Sequence, residues 1–111
     1  MTLHINPTLA VALGSINAAI ILQHLHDLIS SPQGQLHQRQ RWYRATYEQW
    51  QQHFPWASVT CVRHTINRLE DMKLITSQAL DECRTSRTKW YTVNYKAIKS
   101  LKLELYPANG D

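Results

Sequence analysis

Thr60, Arg63, His64 and Asn67 recur at three- and four-residue spacing within Ser58–Ile75, SVTCVRHTINRLEDMKLI. At about 100° per residue, that spacing gathers all four on one side of a helix. The other side collects Cys61, Val62, Thr65, Ile66, Leu69 and Met72, an apolar stripe suited to a core. The four polar side chains are of the kinds that read base edges. The guanidinium of Arg63 offers paired donors to guanine O6 and N7, and the amide of Asn67 matches adenine N6 and N7. Thr60 suits a thymine methyl or a phosphate, with His64 assisting. Glu70 and Asp71 follow further along, where carboxylates repel a duplex. An ordinary solvated helix face carries the same residue types, so the neighbouring elements decide between the two readings.

Other chemistry finds little support. His24 and His26 fall about 200° apart around a helix and do not form a chelating pair. Cys61 and His64 are close in sequence, but Cys61 belongs to the apolar stripe, so no metal site is expected. The carboxylates are scattered rather than paired. No glycine-rich phosphate loop or nucleophile elbow is present. Neither an enzyme nor a cofactor is expected.

The totals fit one domain with one core: 111 residues, 43% of them hydrophobic. A net charge of +4 points to an anionic partner. That charge is unevenly placed. Residues 1–32 carry only Asp27, residues 33–45 carry Arg39, Arg41 and Arg44 with no acid, and residues 84–102 carry Arg84, Arg87, Lys89, Lys96, Lys99 and Lys102, again with no acid. Cys61 and Cys83 do not make a disulfide framework and are expected reduced, in a cytosol-like compartment. Residues 8–29 come closest to a membrane span, but Gln23, His24, His26 and Asp27 among them fit a soluble helical pair, and no membrane is expected.

The elements that must position the polar face follow from caps and periodicity. Pro7 starts a short helix that ends at Gly14. Ser15 or Asn17 caps a second helix running to about Ser30, with Ala18, Ile21, Leu22, Leu25, Leu28 and Ile29 in one stripe. Ser30 to Gly34 reads as a loop and Gln40 to Ala45 as a strand. Thr46 to Gln49 matches a capping box, starting a helix that ends near Phe54. Ser58 caps the next helix. Leu74–Ala79 and Thr88–Tyr95 read as strands of a hairpin with a polar tip, and Lys96–Leu105 as a final helix.

This order is that of a winged helix-turn-helix, in which the second helix of the pair enters the major groove and the wing tip lies along the neighbouring backbone. The pieces RWYRATYEQWQQHFPWASVTCVRHTINRLEDMKLI and RTKWYTVNY resemble the winged-helix domains of phage and plasmid replication proteins and related bacterial regulators. The resemblance spans roughly residues 9–98, and Lys73 departs from it where that family usually has glycine.

The expected fold class is α+β, mainly α, with an N-terminal helix pair, a three-stranded small sheet and a C-terminal helix. One domain spans residues 1–106, with a frayed tail at 107–111. The expected partner is double-stranded DNA, for transcription regulation or for replication of a phage, plasmid or mobile element, near the nucleoid of a bacterial or phage-infected cell. Thr60, Arg63, His64 and Asn67 are the candidates for base contact. Arg39, Arg41, Arg44, Ser58, Arg68, Arg84, Arg87 and Lys89 are the candidates for backbone contact. For Arg39, Arg41 and Arg44 the alternative is a charged strand edge that discourages sheet pairing. Lys96, Lys99 and Lys102 read as a solvated face. Ile20, Ile21 and Leu25 are candidates for a homodimer interface, set against a role in a monomer's core. The rival function is a protein–protein adaptor, using the same surfaces on an acidic partner or the N-terminal helices on an apolar one.

Overall fold

A computed structural model of the chain describes residues 6–79, 88–103 and 105. Asn6 caps helix α1 (Pro7–Leu13) by accepting the Leu9 amide at 3.1 Å, and Pro7 occupies the first turn, where its missing N–H leaves nothing unpaired. Gly14, at φ +67°, ends α1 in a left-handed turn. Ser15 then caps α2 (Ile16–Ser30) through the Ala18 amide.

Helix α2 is buried from Ala18 through Leu25 and again at Leu28 and Ile29. It touches α1 and, beyond it, two strands of the sheet and one later helix, all described below. This enclosure corrects the expected dimer contact. Ile20, Ile21 and Leu25 are 5%, 3% and 0% exposed in the single chain, so no apolar surface remains on them for a second copy. Ile20, which lies off the expected stripe, shares with Phe54 and Val62 the lining of a cavity of about 10 Å3, too small for a ligand.

Strands β1 (Gln35–His37), β2 (Gln40–Ala45), β3 (Ile75–Gln78) and β4 (Lys89–Val93) form one antiparallel sheet in the order β1-β2-β4-β3. Four strands replace the expected three. The addition, β1, joins β2 through Gln38 and Arg39, both at positive φ (+50° and +67°). That is the backbone of a two-residue type I′ turn, which Asn-Gly normally announces and Gln-Arg does not. Tyr43 and Ala45 of β2 join the core beneath the sheet. Trp42, on the alternate side, is covered separately and donates its indole N–H to the His37 carbonyl at 3.2 Å.

Helix α3 (Tyr47–Gln52) begins with a reciprocal capping box: Thr46 N–H donates to Gln49 Oε1 at 2.9 Å, and Gln49 N–H donates to Thr46 Oγ1 at 3.1 Å. It ends at His53, just short of the expected Phe54. After the turn, Ser58 caps α4 (Val59–Asp71) by accepting the Cys61 amide at 3.1 Å.

Helix α4 closes with Lys73 at φ +65°. Leu74 N–H reaches the Leu69 carbonyl and Lys73 N–H reaches Glu70, the paired bonds of a Schellman ending. Asn94 donates to the Lys73 carbonyl at 2.9 Å and holds this residue in a conformation that glycine adopts more easily. Helix α5 (Tyr95–Ser100) is shorter than expected and turns off at Lys102, also at positive φ. The connection over 80–87 and the tail at 107–111 lie outside the described residues. Among the described residues, no helix is long and apolar enough to cross a membrane.

Lys73 is exposed, so replacing it costs little packing. Lys73→Gly is expected to stabilise the chain by about 1 kcal/mol, by relieving the left-handed backbone. In thermal unfolding that amounts to a Tm higher by roughly 4 °C or more. An unchanged or lower Tm would show that Lys73 is not strained.

Candidate nucleic-acid interface

Helix α4 is fixed by one face and open on the other. Val62, Ile66 and Leu69 are buried, while Thr60, Arg63, His64 and Asn67 are exposed. The four stand together along a stripe that rises about 10 Å from Thr60 to Asn67, close to the width of a major groove. None of their side chains makes a hydrogen bond or ion pair with another described residue. The acids come after the stripe: Glu70 is half-buried and accepts the Ser77 hydroxyl at 3.1 Å, and Asp71 is exposed in the last turn. Thr65 turns its hydroxyl back to the Cys61 carbonyl at 2.8 Å and offers nothing outward.

Several cations expected at a DNA backbone have partners inside the fold. Arg41 reaches the end of α2, where its Nε donates to the Ile29 carbonyl and its Nη2 to the carbonyls of Ser31 and Gly34 at 2.8 and 3.1 Å. It caps a helix C-terminus, where a positive charge is favoured. Gly34 makes that close turn feasible, since a Cβ there would collide with the Ile29 carbonyl. Arg68 does similar work for α1, donating to the Leu13 carbonyl at 2.8 Å. Lys89 sits 5.7 Å over the Tyr47 ring, a cation–π contact. Ser58 uses its hydroxyl as the α4 cap.

The sheet register separates the remaining arginines. Ala45 pairs with Lys89 and Arg44 with Trp90, so Arg44 lies at the end of the sheet where the connection over 80–87 departs. Arg39 lies at the other end, in the β1–β2 turn, beside a groove of about 240 Å3 that Arg41 and Tyr95 also line. Arg39 and Arg41 therefore lie toward the end of the sheet opposite Arg44 and Lys89. Arg84, Arg87 and that tip itself lie outside the described residues.

The structure also brings together residues whose separation in sequence gave no signal. Tyr43 Oη is 2.9 Å from His53 Nε2, and His53 Nδ1 is 3.2 Å from His24 Nε2. Burial lowers the pKa of His53 and raises that of Tyr43. A second pair, His26 Nδ1 and Tyr95 Oη, lies at 2.6 Å. There burial lowers the His26 pKa, opposed by the Asp27 charge. Trp56, 55% exposed two residues before the Ser58 cap, is held by its indole N–H on Asn17 Oδ1 at 3.2 Å. Phe54-Pro55-Trp56 reads in sequence only as a turn, which hides this exposed aromatic. Among the described residues, no group of three or more His, Cys, Asp or Glu stands close enough to hold a metal ion.

No protein-family model, curated protein or solved structure matches the chain.

These contacts divide the arginines by what removing them costs. Arg41→Ala and Arg68→Ala should each destabilise the fold by about 1.5–3 kcal/mol, the range for a hydrogen bond to a charged group. Arg63→Ala should stay within about 0.5 kcal/mol of the parent. Urea denaturation midpoints decide the matter, and a loss for Arg63→Ala equal to the other two would place Arg63 in the scaffold.

Proposed function

We propose that the chain binds double-stranded DNA by laying the first half of α4 into the major groove, as a winged helix-turn-helix does. The observation that carries this reading is the stripe of Thr60, Arg63, His64 and Asn67, exposed and without side-chain partners among the described residues, on a helix whose opposite face is locked into the core. Arg63 and Asn67 are the base-reading pair, with Thr60 and His64 assisting. The element order supports the reading: α2, β2, α3, α4, β3 and β4, with β2, β4 and β3 adjacent in the sheet, is the succession that a winged helix uses. Helix α1 and strand β1 are additions to it. Arg44 and Lys89, on the sheet end nearest the 80–87 connection, remain the backbone candidates with Ser58. Arg41 and Arg68 leave that group because their guanidinium groups close helix ends. The role fits a small transcriptional regulator or a replication or mobile-element DNA-binding protein.

The protein–protein adaptor reading draws on a different feature. Ile16 is 62% exposed beside Asn17, whose side chain holds the exposed Trp56. An aromatic and an aliphatic side chain kept in solvent suit an apolar partner.

Fluorescence anisotropy with duplex DNA across a salt series separates the two. DNA binding predicts a linear fall of log K with log salt. Arg63→Ala or Asn67→Ala is expected to weaken binding by about 1–3 kcal/mol and to relax preference at one base position. Absence of binding even at low salt would sink the DNA reading and favour the adaptor.

A further inference from the structure

His53 closes α3 and opens the turn into α4, and its imidazole bridges two other elements. On one side lies His24 of α2, 2% exposed, and on the other Tyr43 of β2. Aromatic rings surround the chain of three: Phe54 stands edge-on to His24 with centroids 5.6 Å apart, and Trp50 stands edge-on to Tyr43 at 5.2 Å.

Neutral imidazoles suit this geometry, with one N–H between the two rings and one proton between His53 and Tyr43. One added proton preserves the hydrogen bonds but leaves a cation inside the fold. A second sets N–H against N–H across the 3.2 Å gap, with no acceptor between them. The other titratable or charged groups on the elements packed here are few. On α2, Asp27 lies one turn beyond His24 and accepts the Gln23 amide at 3.3 Å. On α3, Tyr47 and Glu48 sit in the first turn, away from His53. Arg44 is next to Tyr43 but on the alternate side of β2, and Tyr91 of β4 lies behind the Trp50 ring. Helix α4 turns Val62 and Ile66 to the core, neither of them titratable. The lowered pKa of His53 comes from burial, with no neighbouring charge contributing.

We propose that Tyr43, His53 and His24 form a proton-operated latch on the α3–α4 turn. Closed while both imidazoles are neutral, it fixes the turn and the bearing of the α4 polar face; opened by protonation, it frees the turn and weakens duplex binding. The effect on binding rests on the DNA reading of α4, whereas the latch itself does not.

The sign follows from linkage. His53 is held below its ordinary value of 6.5, so the open form takes up protons more readily than the closed one. The latch contribution is complete above about pH 6.5 and is lost as the pH falls through the lowered native value. His26 is lowered in the same direction, so the reference chain should carry His26→Gln.

The test is amide hydrogen exchange, corrected for intrinsic rates, at pH 7.5 and 5.5 in the His26→Gln chain with and without His53→Gln. The expected result is roughly tenfold loss of protection over residues 50–57 at the lower pH, and its disappearance with His53→Gln. In the unsubstituted chain, NMR titration of the His53 ring should show it taking up a proton below pH 6.5, together with that loss. Duplex affinity at constant ionic strength should fall over the same range only where His53 is present. Protection that does not depend on pH, or a dependence that survives His53→Gln, overturns the latch. An opening that leaves duplex affinity unchanged, or no duplex binding at pH 7.5, overturns its regulatory half alone.

Discussion

Burying a helix on several sides at once imposes conditions on everything around it, and α2 is such a helix. Each Leu or Ile it hides contributes about 1.5–3 kcal/mol. A buried polar group without a partner costs about 1–3 kcal/mol, enough to cancel one such side chain. The polar residues of α2 are accordingly tied down. Gln23 bonds Asp27, and His24 bonds His53 across to α3. Its final carbonyls meet the Arg41 guanidinium from β2. The central helix thus fixes the place of the sheet, of α3 and of the turn leading to α4.

Those ties explain how α4 holds a polar stripe outward. Helix α4 is anchored by Val62, Ile66 and Leu69 and ends in the Lys73 turn that Asn94 holds. Arg68 is drawn back to α1. What faces outward from the first half of α4 is therefore the set Thr60, Arg63, His64 and Asn67, on a rigid element rather than on a loop. A face held in one orientation suits recognition of another surface, because little ordering entropy remains to be lost on binding.

Much of this was legible in the sequence where short-range chemistry decides it. The caps at Ser15, Thr46 and Ser58, the capping box and the β2 strand stand where expected, because each depends on residues within one turn or one strand. The outward direction of the α4 stripe follows from helical period alone. The rest depends on contacts distant in sequence. A guanidinium is equally suited to a phosphate and to a helix-end carbonyl, so nothing near Arg41 or Arg68 announces its destination. Ile20 falls off the main stripe and looks free until α4 and the turn before it close over that side of α2. Strand β1 stayed hidden because its turn uses Gln38 and Arg39 at positive φ. The link among Tyr43, His53 and His24 joins three elements, and no local pattern encodes it.

The most direct measurement of the central claim is an NMR titration of the 15N-labelled chain with short duplex DNA, following every backbone amide. Shifts should centre on Ser58–Asn67 and spare the β1–β2 turn, with Arg41 and Arg68 unaffected except through their neighbours. Shifts centred on the sheet, or on α1 and Trp56 with α4 silent, would contradict the account.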